Sequence, residues 1–558
     1  MAVMAGKRVL LELLRQEGVD TIFGNPGTTE LPLMDALAVE PGIRYVLGLQ
    51  EAGVMAMADG YAQAGNRLAV TNFHVAPGLG NAMGMLYDAK KAGAPILVTA
   101  GQHDQSFTFT EPILWDDLPP IARPLVKWSS EVHRLVELPR AIHRAAKTAL
   151  APPRGPVFLS LPGDVLTSEA DVDLGAPTRV ATGHRGDAEA IEAAAKLLLE
   201  AQRPVIMAGD AVAQSRAHAE IVEIAELLGA PVYPESVAST ASFPASHPLF
   251  KGAFTRLAPN IRAMLEQHDL LFSVGGDLFT MSLPSDVDPM PKGMPIVHID
   301  TDPWELGKNY PEKVSILGDA KATLRDLLAA LKSNMTAAQL EATRTRAASM
   351  HAAIAAELEK LKARAKSEAQ AVPIRPLALM HALGELLPPE AVVIDESISS
   401  NAGLRQLLKS NDPQSFFALR GGGIGWGLPA AIGAKLALPD RPVVGLIGDG
   451  SALYTCQALW TAAREQVAVV FVILNNASYR ILKQRVNNMR GHAAQTDLYV
   501  GMDLVNPRVD FVGLARSFGV AAERATTLAE ATALVKRGVA GREPLLVDVQ
   551  IDPAFKPV

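Results

Sequence analysis

Two short polar segments, each directly after an apolar run that predicts a buried strand, hold the residues best suited to chemistry. The first reads GDGS at 448–451 and the second reads NNAS at 475–478. Parallel strands joined by one crossover helix lie side by side and end at the same edge of a sheet, so Asp449 and Asn476 are expected to be neighbours. A carboxylate, an amide oxygen and the carbonyl oxygen of Ser478 are hard ligands suited to Mg²⁺ or Ca²⁺.

A glycine-rich turn before a helix could instead bind the phosphates of a dinucleotide. The fingerprint G-x-G-x-x-G would need glycine at position 453, where Leu453 stands. The carboxylate of Asp449 would also repel a phosphate unless a cation lay between them. The sequence therefore predicts a diphosphate that is held through a divalent cation, its other ligands being water and phosphate oxygens.

Composition narrows the class of protein. The chain has 558 residues, of which 49% are hydrophobic and 20% charged, and its net charge is −7. This composition is typical of globular proteins and a poor match to general nucleic-acid binders. One cysteine, Cys456, excludes a disulfide framework and sites with several thiolates. The longest apolar run, 467–474, is too short to span a bilayer, and the N-terminal segment predicts an amphipathic helix, so we expect a cytoplasmic protein without membrane contact.

The elements that must position these residues follow an α/β pattern. Short β-branched runs alternate with Ala- and Leu-rich helical segments, which indicates three doubly wound parallel-sheet domains. The predicted strands are 21–23, 44–49, 68–73, 95–100, 156–161, 204–208, 231–233, 270–274, 295–299, 392–395, 443–447, 468–474 and 545–550.

The predicted domains are 1–180, 188–335 and 372–558, with a connecting helix and linker at 336–371. A polar stretch with glycine and proline at 171–186 predicts the linker after the first domain. A coiled coil is the alternative for the connecting helix, but no sustained apolar heptad supports it.

The spacing of GDG and NN resembles the signature of thiamine-diphosphate enzymes. Over nearly its whole length the chain is similar to the benzoylformate decarboxylase and acetolactate synthase-like branch of that family. The resemblance implies that the first domain binds the pyrimidine, the second is central and the last binds the diphosphate. It also implies thiamine diphosphate with Mg²⁺ (or Ca²⁺) as cofactors, and a homo-oligomer, a dimer of dimers, with each active site between subunits.

Glu51 follows the predicted strand 44–49 and has apolar neighbours, which disfavour the charged form of a carboxyl group. The resemblance implies that Glu51 contacts the pyrimidine N1′ and activates the cofactor. The alternative is an exposed glutamate at a helix start, stabilised by the helix dipole.

His74 lies in a glycine-containing turn after the strand 68–73, and histidine suits proton transfer near neutral pH. The resemblance implies that it is an active-site histidine. The turn 25–28 is similar to a pocket-lining turn of the family that usually ends in serine, so Thr28 would keep the hydroxyl and narrow the pocket.

Further cofactor contacts come from the glycine-rich loop and the strand ends. The resemblance places Ile424 under the bend of the cofactor and the carbonyl of Gly422 at its 4′-amine. For Ser399, Ser400 and Ser451 ordinary helix capping stays open as the alternative. The expected cofactor-binding residues are Glu51, Ser399, Ser400, Gly422, Ile424, Gly448, Asp449, Gly450, Ser451, Asn476, Ser478 and Tyr479, and the expected metal ligands are Asp449, Asn476 and Ser478.

The implied reaction starts from a 2-oxo acid or acyl substrate. Carbon dioxide leaves, and the product is either protonated to an aldehyde or joined to a second carbonyl as a 2-hydroxy ketone. The alternatives are an acetolactate synthase-like carboligase, a 2-hydroxyacyl-CoA lyase and, from other classes, a nucleotide-binding dehydrogenase or an inactive regulatory homologue.

Two features depart from the benzoylformate decarboxylases. The stretch 278–282 lacks the histidine that those enzymes carry in the central domain, which puts simple decarboxylation of benzoylformate in question. Arg480, Lys483 and Arg485 partly share a helix face that could bind an acidic or phosphate-bearing substrate or simply be solvated. Some acetolactate synthases bind a flavin in the central domain, but here the turn 208–210 has too few glycines for a dinucleotide site, so we expect no FAD.

Overall fold

The computed structural model describes residues 3–235, 237–281 and 283–555. Its α/β architecture contains three parallel sheets with flanking helices, as the alternation of strands and helices predicts. The chain divides into two compact units. The first unit comprises 1–180, 392–400 and 419–558, and the second comprises 181–391 and 401–418.

The first sheet belongs to the first unit. The strands of this part of the chain are β1 Val3–Ala5, β2 Thr21–Gly24, β3 Arg44–Leu47, β4 Ala69–Phe73, β5 Ile96–Gln102, β6 Ser129–Glu131, β7 Val157–Pro162 and β8 Glu169–Asp171. Six of them pair in the order β3-β2-β4-β5-β7-β6, all parallel, while β1 and β8 form a separate antiparallel pair.

Seven α-helices accompany the strands of the first sheet. They are α1 Gly6–Gln16, α2 Leu31–Leu37, α3 Glu51–Gly65, α4 Val75–Ala92, α5 Leu118–Ala122, α6 Leu138–Leu150 and α7 Gly163–Thr167. Apolar side chains of α6 recur at Leu138, Ile142 and Ala145 and are buried, so this helix turns one stripe to the core. Helix α3 is buried on nearly all sides, as its run of Ala, Met and Val predicts.

The second sheet belongs to the second unit. Its strands are β9 Pro204–Ala208, β10 Val232–Pro234, β11 Leu270–Val274, β12 Ile296–Asp300 and β13 Val314–Leu317. They are parallel in the order β10-β9-β11-β12-β13. The helices are α8 Ala188–Glu200, α9 Asp210–Gln214, α10 His218–Leu228, α11 Ala258–Leu265, α12 Ala320–Asn334, α13 Ala337–Ser367 and α14 Pro376–Leu386.

Helix α13 confirms the long helix predicted from the Ala-, Glu- and Lys-rich run. It begins at a capping box in which the hydroxyl of Thr336 accepts from the amide of Gln339 and the side chain of Gln339 reaches back. The guanidinium of Arg346 attaches it to the carbonyls of Leu228 and Gln202. The domain boundaries themselves stay a prediction.

The third sheet carries the diphosphate motif. The strands in the last third of the chain are β14 Val392–Glu396, β15 Phe416–Ala418, β16 Val443–Gly448, β17 Val469–Asn475, β18 Ala521–Ala525 and β19 Leu545–Gln550. Within the first unit they run parallel in the order β14-β16-β17-β19-β18. The helices are α15 Leu404–Leu407, α16 Gly427–Ala437, α17 Asp449–Ala452, α18 Ala458–Arg464, α19 Arg480–Asn488, α20 His492–Thr496, α21 Phe511–Ser517 and α22 Leu528–Ala540.

The sequence pattern did not predict six strands, β1, β6, β8, β13, β15 and β18. They have three to five residues each, and several carry charged side chains, such as Glu131 in β6 and Arg524 in β18. Strands this short offer too few positions for an apolar pattern to stand out. Within the described ranges, every helix is too short or too polar to cross a bilayer.

Candidate active site

The carboxyl ends of β14, β16 and β17 meet at one edge of the third sheet. Strand β16 lies between the other two, with Ile447 opposite Glu396 of β14 and Gly448 opposite Leu474 of β17. The turns that follow these strands therefore share one edge, where ligands bind in open parallel sheets. This arrangement brings together the motif segments 448–451 and 475–478, as their spacing predicts.

Asp449 is the first residue of α17 and is almost fully buried. One carboxylate oxygen accepts from the amide of Gly450 at 2.9 Å, and the other, Oδ2, is buried without a hydrogen-bond partner. Burial raises the pKa of Asp449 to about 6, although the amides of residues 476–478 lower it in part. A buried acceptor without a partner is costly unless a cation or donor reaches it.

The loop after β17 folds back on itself beside that carboxylate. The Oδ1 atom of Asn476 accepts from the amide of Ser478 at 3.0 Å and from its hydroxyl at 2.8 Å. Ala477, between them, has φ +54°, a conformation that costs a residue with a side chain about 1–3 kcal/mol. Strain of this kind is typical of functional turns.

These residues suit a divalent cation. One carboxylate with an unpartnered oxygen, one amide oxygen and the carbonyl of Ser478 are hard ligands that leave room for ligand and water oxygens. Across the described ranges no three His, Cys, Asp or Glu side chains gather around one point. The candidate metal site therefore depends on a single carboxylate, Asp449.

The turn after β14 lies at the same edge. Ile398 has φ +44°, Ser399 is half-buried and Ser400 is almost fully buried. Both serines accept hydrogen bonds from the guanidinium of Arg480, the first residue of α19. Tyr479, directly before it, is half-buried, and its amide donates to the carbonyl of Met502 at 2.9 Å.

Glu396 is a site residue that the sequence did not reveal. It ends β14, is 1% exposed, and accepts from the amides of Gly425 (2.6 Å), Trp426 (3.3 Å) and Gly427 (2.6 Å). Its carboxylate also bonds the side chain of Ser451, and burial raises its pKa to about 7 against these hydrogen bonds. Glu396 thus ties the glycine-rich loop to the start of α17.

Two further buried acids hold the same loop, which carries the predicted residues Gly422 and Ile424. The carboxylate of Asp88 accepts from the amide of Gly423 at 3.0 Å, and that of Asp59 accepts from the indole of Trp426 at 2.7 Å. Burial raises the pKa of Asp88 to about 8 and that of Asp59 to about 6.

Glu51 begins α3 at the edge of the first sheet. Glu51 is 8% exposed, which excludes the exposed helix-start alternative, and its Oε2 accepts from the side-chain amide of Asn81 at 3.0 Å. Gln50, directly before it, caps the helix by accepting from the amide of Gly53. Glu51 is therefore held in one orientation.

His74 forms a pair with a buried glutamate. Its Nδ1 lies 3.0 Å from Oε2 of Glu30, which is 1% exposed and also accepts from the amides of Gly27 and Gly101. A Cβ at position 27 would lie 2.0 Å from Nδ1 of His74, so only glycine allows the ring this close. Val75, next to His74, has φ +42°, a strained value for a β-branched residue.

The hydroxyl that contacts this pair belongs to Thr29. Its Oγ1 donates to Glu30 at 2.7 Å and lies 3.3 Å from Nδ1 of His74. The side chain of Thr28 is exposed, so its role toward a substrate stays a prediction. Neither Glu30 nor Thr29 was predicted, although both directly follow the turn 25–28 that the sequence singled out.

The three cations that follow the loop 475–478 do not form one exposed face. They are Arg480, Lys483 and Arg485. Arg480 is 5% exposed and held by neutral oxygens. Lys483 pairs with Asp503, and its side chain is 12% exposed. The solvated-face interpretation is wrong for Arg480, because its side chain is buried, whereas binding of an anion stays a prediction.

The central-domain stretch 278–282 shows no titratable group that replaces the expected histidine. Leu278 and Phe279 are buried in the core of the second unit, and Ser282 lies outside the described residues. Nδ1 of His268 donates to the carbonyl of Arg203, and His298 is buried against Glu312. Both histidines have local structural partners.

Comparison with known proteins decides the family. Three sequence models match along the chain: "Thiamine pyrophosphate enzyme, N-terminal TPP binding domain" at 4–112, the central domain of the same enzymes at 191–327, and their C-terminal TPP binding domain at 399–549. Together they cover more than half of the chain. This chain belongs to the thiamine pyrophosphate enzyme family.

The relatives of this thiamine pyrophosphate enzyme match it over almost their whole length. It is 35% identical to benzoylformate decarboxylase of Pseudomonas aeruginosa, over 96% of this chain and 97% of that protein. It is 31% identical to a probable acetolactate synthase large subunit of Methanocaldococcus jannaschii, over 99% of this chain and 92% of that protein. A thiamine diphosphate-dependent 4-hydroxybenzoylformate decarboxylase from Rhodococcus jostii RHA1 superposes with a TM-score of 0.87 at 32% identity, covering 99% of this chain and 100% of that one.

The matches fix the general class. This thiamine pyrophosphate enzyme is of the benzoylformate decarboxylase and acetolactate synthase type, a carbon–carbon lyase or carboligase. Glu51 and His74 lie in the range matched by the N-terminal model, and Asp449 and Asn476 in that matched by the C-terminal model.

Proposed function

We propose that this thiamine pyrophosphate enzyme binds thiamine diphosphate together with Mg²⁺, removes carbon dioxide from a 2-oxo acid with an aromatic group, and releases the aldehyde. The observation that carries the proposal is the buried Asp449, whose unpartnered oxygen lies beside the loop 476–478. The names of the relatives from Pseudomonas aeruginosa and Rhodococcus jostii favour an aromatic 2-oxo acid.

The diphosphate end of the site would be held by the edge of the third sheet. Asp449, Asn476 and the carbonyl of Ser478 would hold the metal, with Ca²⁺ as an alternative to Mg²⁺. The backbone of the glycine turn at 448–451 and the hydroxyls of the turn at 399–400 would meet the phosphates. When bound, the cofactor supplies the nucleophilic carbon and accepts the electrons that are set free as carbon dioxide leaves.

Glu51 would hold a proton at its carboxyl group against a ring nitrogen of the pyrimidine. Burial suits this role because a carboxyl in a water-poor site can share a proton with a ring nitrogen. The glycine loop held by Glu396 and Asp88 would present the carbonyl of Gly422 and the side chain of Ile424 to the cofactor.

The pair of His74 and Glu30 supports protonation of the product over ligation. The carboxylate occupies Nδ1 of the imidazole, which leaves Nε2 to hold or deliver a proton at the substrate. Thr28, exposed at the same turn, would contact the substrate carboxylate.

We also infer a homo-oligomer, a dimer of dimers. Large apolar side chains are exposed in two segments of the first unit: Phe109 is 97% exposed, Ile113 85% and Val500 91%. Exposed apolar groups at this density are typical of surfaces that another chain covers.

A flavin is not part of the proposal. Asp210 follows β9, where a dinucleotide would place its phosphates, and its carboxylate accepts from the amides and hydroxyls of Ser239 and Thr240. An acid in that position disfavours a phosphate.

The test is to incubate the enzyme with thiamine diphosphate and Mg²⁺ and offer pyruvate, benzoylformate, 4-hydroxybenzoylformate and 2-hydroxyacyl-CoA. We expect carbon dioxide and the matching aldehyde in equal amounts from an aromatic 2-oxo acid. A 2-hydroxy ketone as the main product would favour the acetolactate synthase-like carboligase, and cleavage of the CoA ester alone would favour the lyase. Binding of NAD instead of thiamine diphosphate would overturn the assignment.

A further inference from the structure

Arg480 is a buried cation whose hydrogen-bond partners are neutral oxygens. Its Nε donates to Oγ of Ser399 at 3.2 Å and its Nη2 to Oγ of Ser400 at 2.9 Å. Nη2 also donates to the carbonyl of Ser399, and Nη1 donates to the carbonyl of Asp552 at 2.9 Å. In the part of the chain that the structure describes, no carboxylate lies within ion-pair distance of this guanidinium, which is 5% exposed.

A buried guanidinium with no carboxylate in contact is expensive, and the carboxylates of Asp552 and Asp449 act on it only from beyond ion-pair distance. Neutral oxygens recover only part of the solvation that the charge has lost. Arginine has five N–H donors in a rigid fork, and the four hydrogen bonds use four of them. One N–H of Nη1 therefore remains for another acceptor.

The opposite imbalance exists at Asp449. This buried carboxylate has an unpartnered oxygen and needs a cation. Arg480 follows the metal loop by two residues, and its partners Ser399 and Ser400 form the turn after β14 at the same sheet edge. A ligand that joins a divalent cation to a diphosphate would satisfy both charges.

Arg480 also joins three separate segments. It connects the strained turn at Ser399 and Ser400, the start of α19 and the segment after β19 through Asp552. Lys483, one turn further along α19, is instead neutralised by Asp503. Lys483 thus has a carboxylate in contact with it, whereas Arg480 has none.

We propose that Arg480 is a cofactor-binding residue, supplying the diphosphate with a second positive charge beside the metal while it holds the Ser399–Ser400 turn in place. This inference rests on the function proposed above. It assigns to the site a fixed cation that the predicted set of serines, glycines and metal ligands does not include.

Calorimetric titration of the metal-free apo protein tests this role. Mg²⁺ with thiamine diphosphate and, separately, Mg²⁺ with inorganic pyrophosphate are titrated into wild type, Arg480→Met, Arg480→Lys and Lys483→Met. Because a hydrogen bond to a charged group contributes more than a neutral one, Arg480→Met should weaken both ligands about 10- to 100-fold. Arg480→Lys should recover part of the loss, and Lys483→Met should stay within about twofold of wild type.

The dependence of Kd on KCl concentration separates charge from packing. The slope of log Kd against log salt should be shallower in Arg480→Met than in wild type, and close to wild type in Arg480→Lys. Wild-type affinity and slope in Arg480→Met would overturn the proposal. Equal losses in the Met and Lys variants, with an unchanged slope, would leave a purely structural role and overturn the charge role.

If Arg480→Met does not fold, Arg480→Lys still decides the question. A lysine variant that keeps part of the wild-type affinity supports the charge role, and one that loses binding altogether counts against it. Failure of wild type to bind either ligand would overturn the proposed function itself.

Discussion

At the scale of single residues, the site depends on acids that occupy different environments. Asp449 keeps one oxygen without a partner, whereas all the bonding capacity of Glu396 is directed at backbone amides and Ser451. Glu30 orients a histidine, and Glu51 is held by an asparagine. Under the proposed function, carboxylate side chains would thus serve as metal ligand, loop anchor, histidine partner and cofactor activator, and their surroundings decide which.

Glu51→Gln should fold, bind the cofactor and lose most of its turnover. Glutamine fills the same space and can still contact Asn81, but it cannot exchange a proton with the pyrimidine. We expect kcat to fall about 10²- to 10⁴-fold, as for loss of a general acid–base group, with the Kd for thiamine diphosphate within an order of magnitude of wild type. Steady-state kinetics and calorimetry measure the two quantities, and a variant with full activity would contradict the role of Glu51.

Glu30→Gln and His74→Ala should shift the products in the same direction. Both changes impair proton delivery, so the ratio of 2-hydroxy ketone to aldehyde should rise while kcat falls about 10- to 100-fold for Glu30→Gln. Product analysis with excess acetaldehyde as acceptor provides the measurement. Thr28→Ser, which retains the hydroxyl, is the control and should keep the wild-type ratio. An effect of His74→Ala that Glu30→Gln does not share would show that the pair does not act together.

At the scale of elements, the first unit is organised around the contact of α3 with α16. A Cβ at Gly433 of α16 would lie 1.9 Å from the carbonyl of Met57 in α3, and a Cβ at Gly60 would lie 2.2 Å from the carbonyl of Ala430. The two backbones therefore touch directly. Because Glu51 begins α3 and the glycine-rich loop precedes α16, this contact sets where both are placed.

Gly433→Ala should lower stability because the added methyl group meets backbone that cannot move aside. We expect a loss of about 1–3 kcal/mol or more, read as a lower thermal midpoint of the apo protein. Gly80→Ala is the matched control: it lies inside α4 with nothing within 4 Å of its Cβ. There alanine should be neutral or stabilising by up to about 1 kcal/mol, owing to its higher helix propensity. Equal midpoints for the two variants would contradict the close contact.

Asp88 should make stability depend on pH. Burial raises its pKa in the folded state to about 8, above the ordinary value of about 3.9 in the unfolded chain. The contribution of Asp88 to the free energy of unfolding is therefore fully present below pH 4 and is lost as pH rises through 8. The thermal midpoint of Asp88→Asn should fall less than that of wild type between pH 5 and pH 8. Asp117→Asn, a change at an exposed position, should behave like wild type. An identical pH dependence in Asp88→Asn and wild type would count against a protonated Asp88.

The sequence predicts the metal loop because each of its parts follows an apolar run directly. Asp449 and Asn476 can be placed at neighbouring strand ends from spacing alone. Glu30, Asp88 and Glu396 escape prediction because the residues they bind lie far along the chain. His74 lies 44 positions from Glu30, and Gly423 lies 335 positions from Asp88. Glu396 carried a usable signal, since it directly follows the predicted strand 392–395 at the edge where the ligand is expected. No signal in the sequence indicates that Arg480 is buried, because its spacing fits a solvated helix equally well.

At the scale of the whole molecule, the proposed site is built from segments of the first unit, while the second unit has its own sheet and core. The exposed apolar side chains near Phe109 and Val500 should be covered in solution. We expect the mass measured by light scattering to be about four times that of the 59.2 kDa chain. Phe109→Asp together with Ile113→Asp should shift it toward smaller species, and a wild-type monomer that is fully active would contradict the shared site.

The most direct test of the central claim is a calorimetric titration of the apo protein with thiamine diphosphate. With Mg²⁺ present, we expect one molecule bound per chain, and with EDTA the binding should be lost or weakened at least about tenfold. Asp449→Asn, which keeps the shape and removes the charge, should behave in Mg²⁺ as wild type does in EDTA. Binding by Asp449→Asn that equals wild type in Mg²⁺, or no binding by wild type at all, would contradict the claim that Asp449 and Asn476 hold the cofactor through a divalent cation.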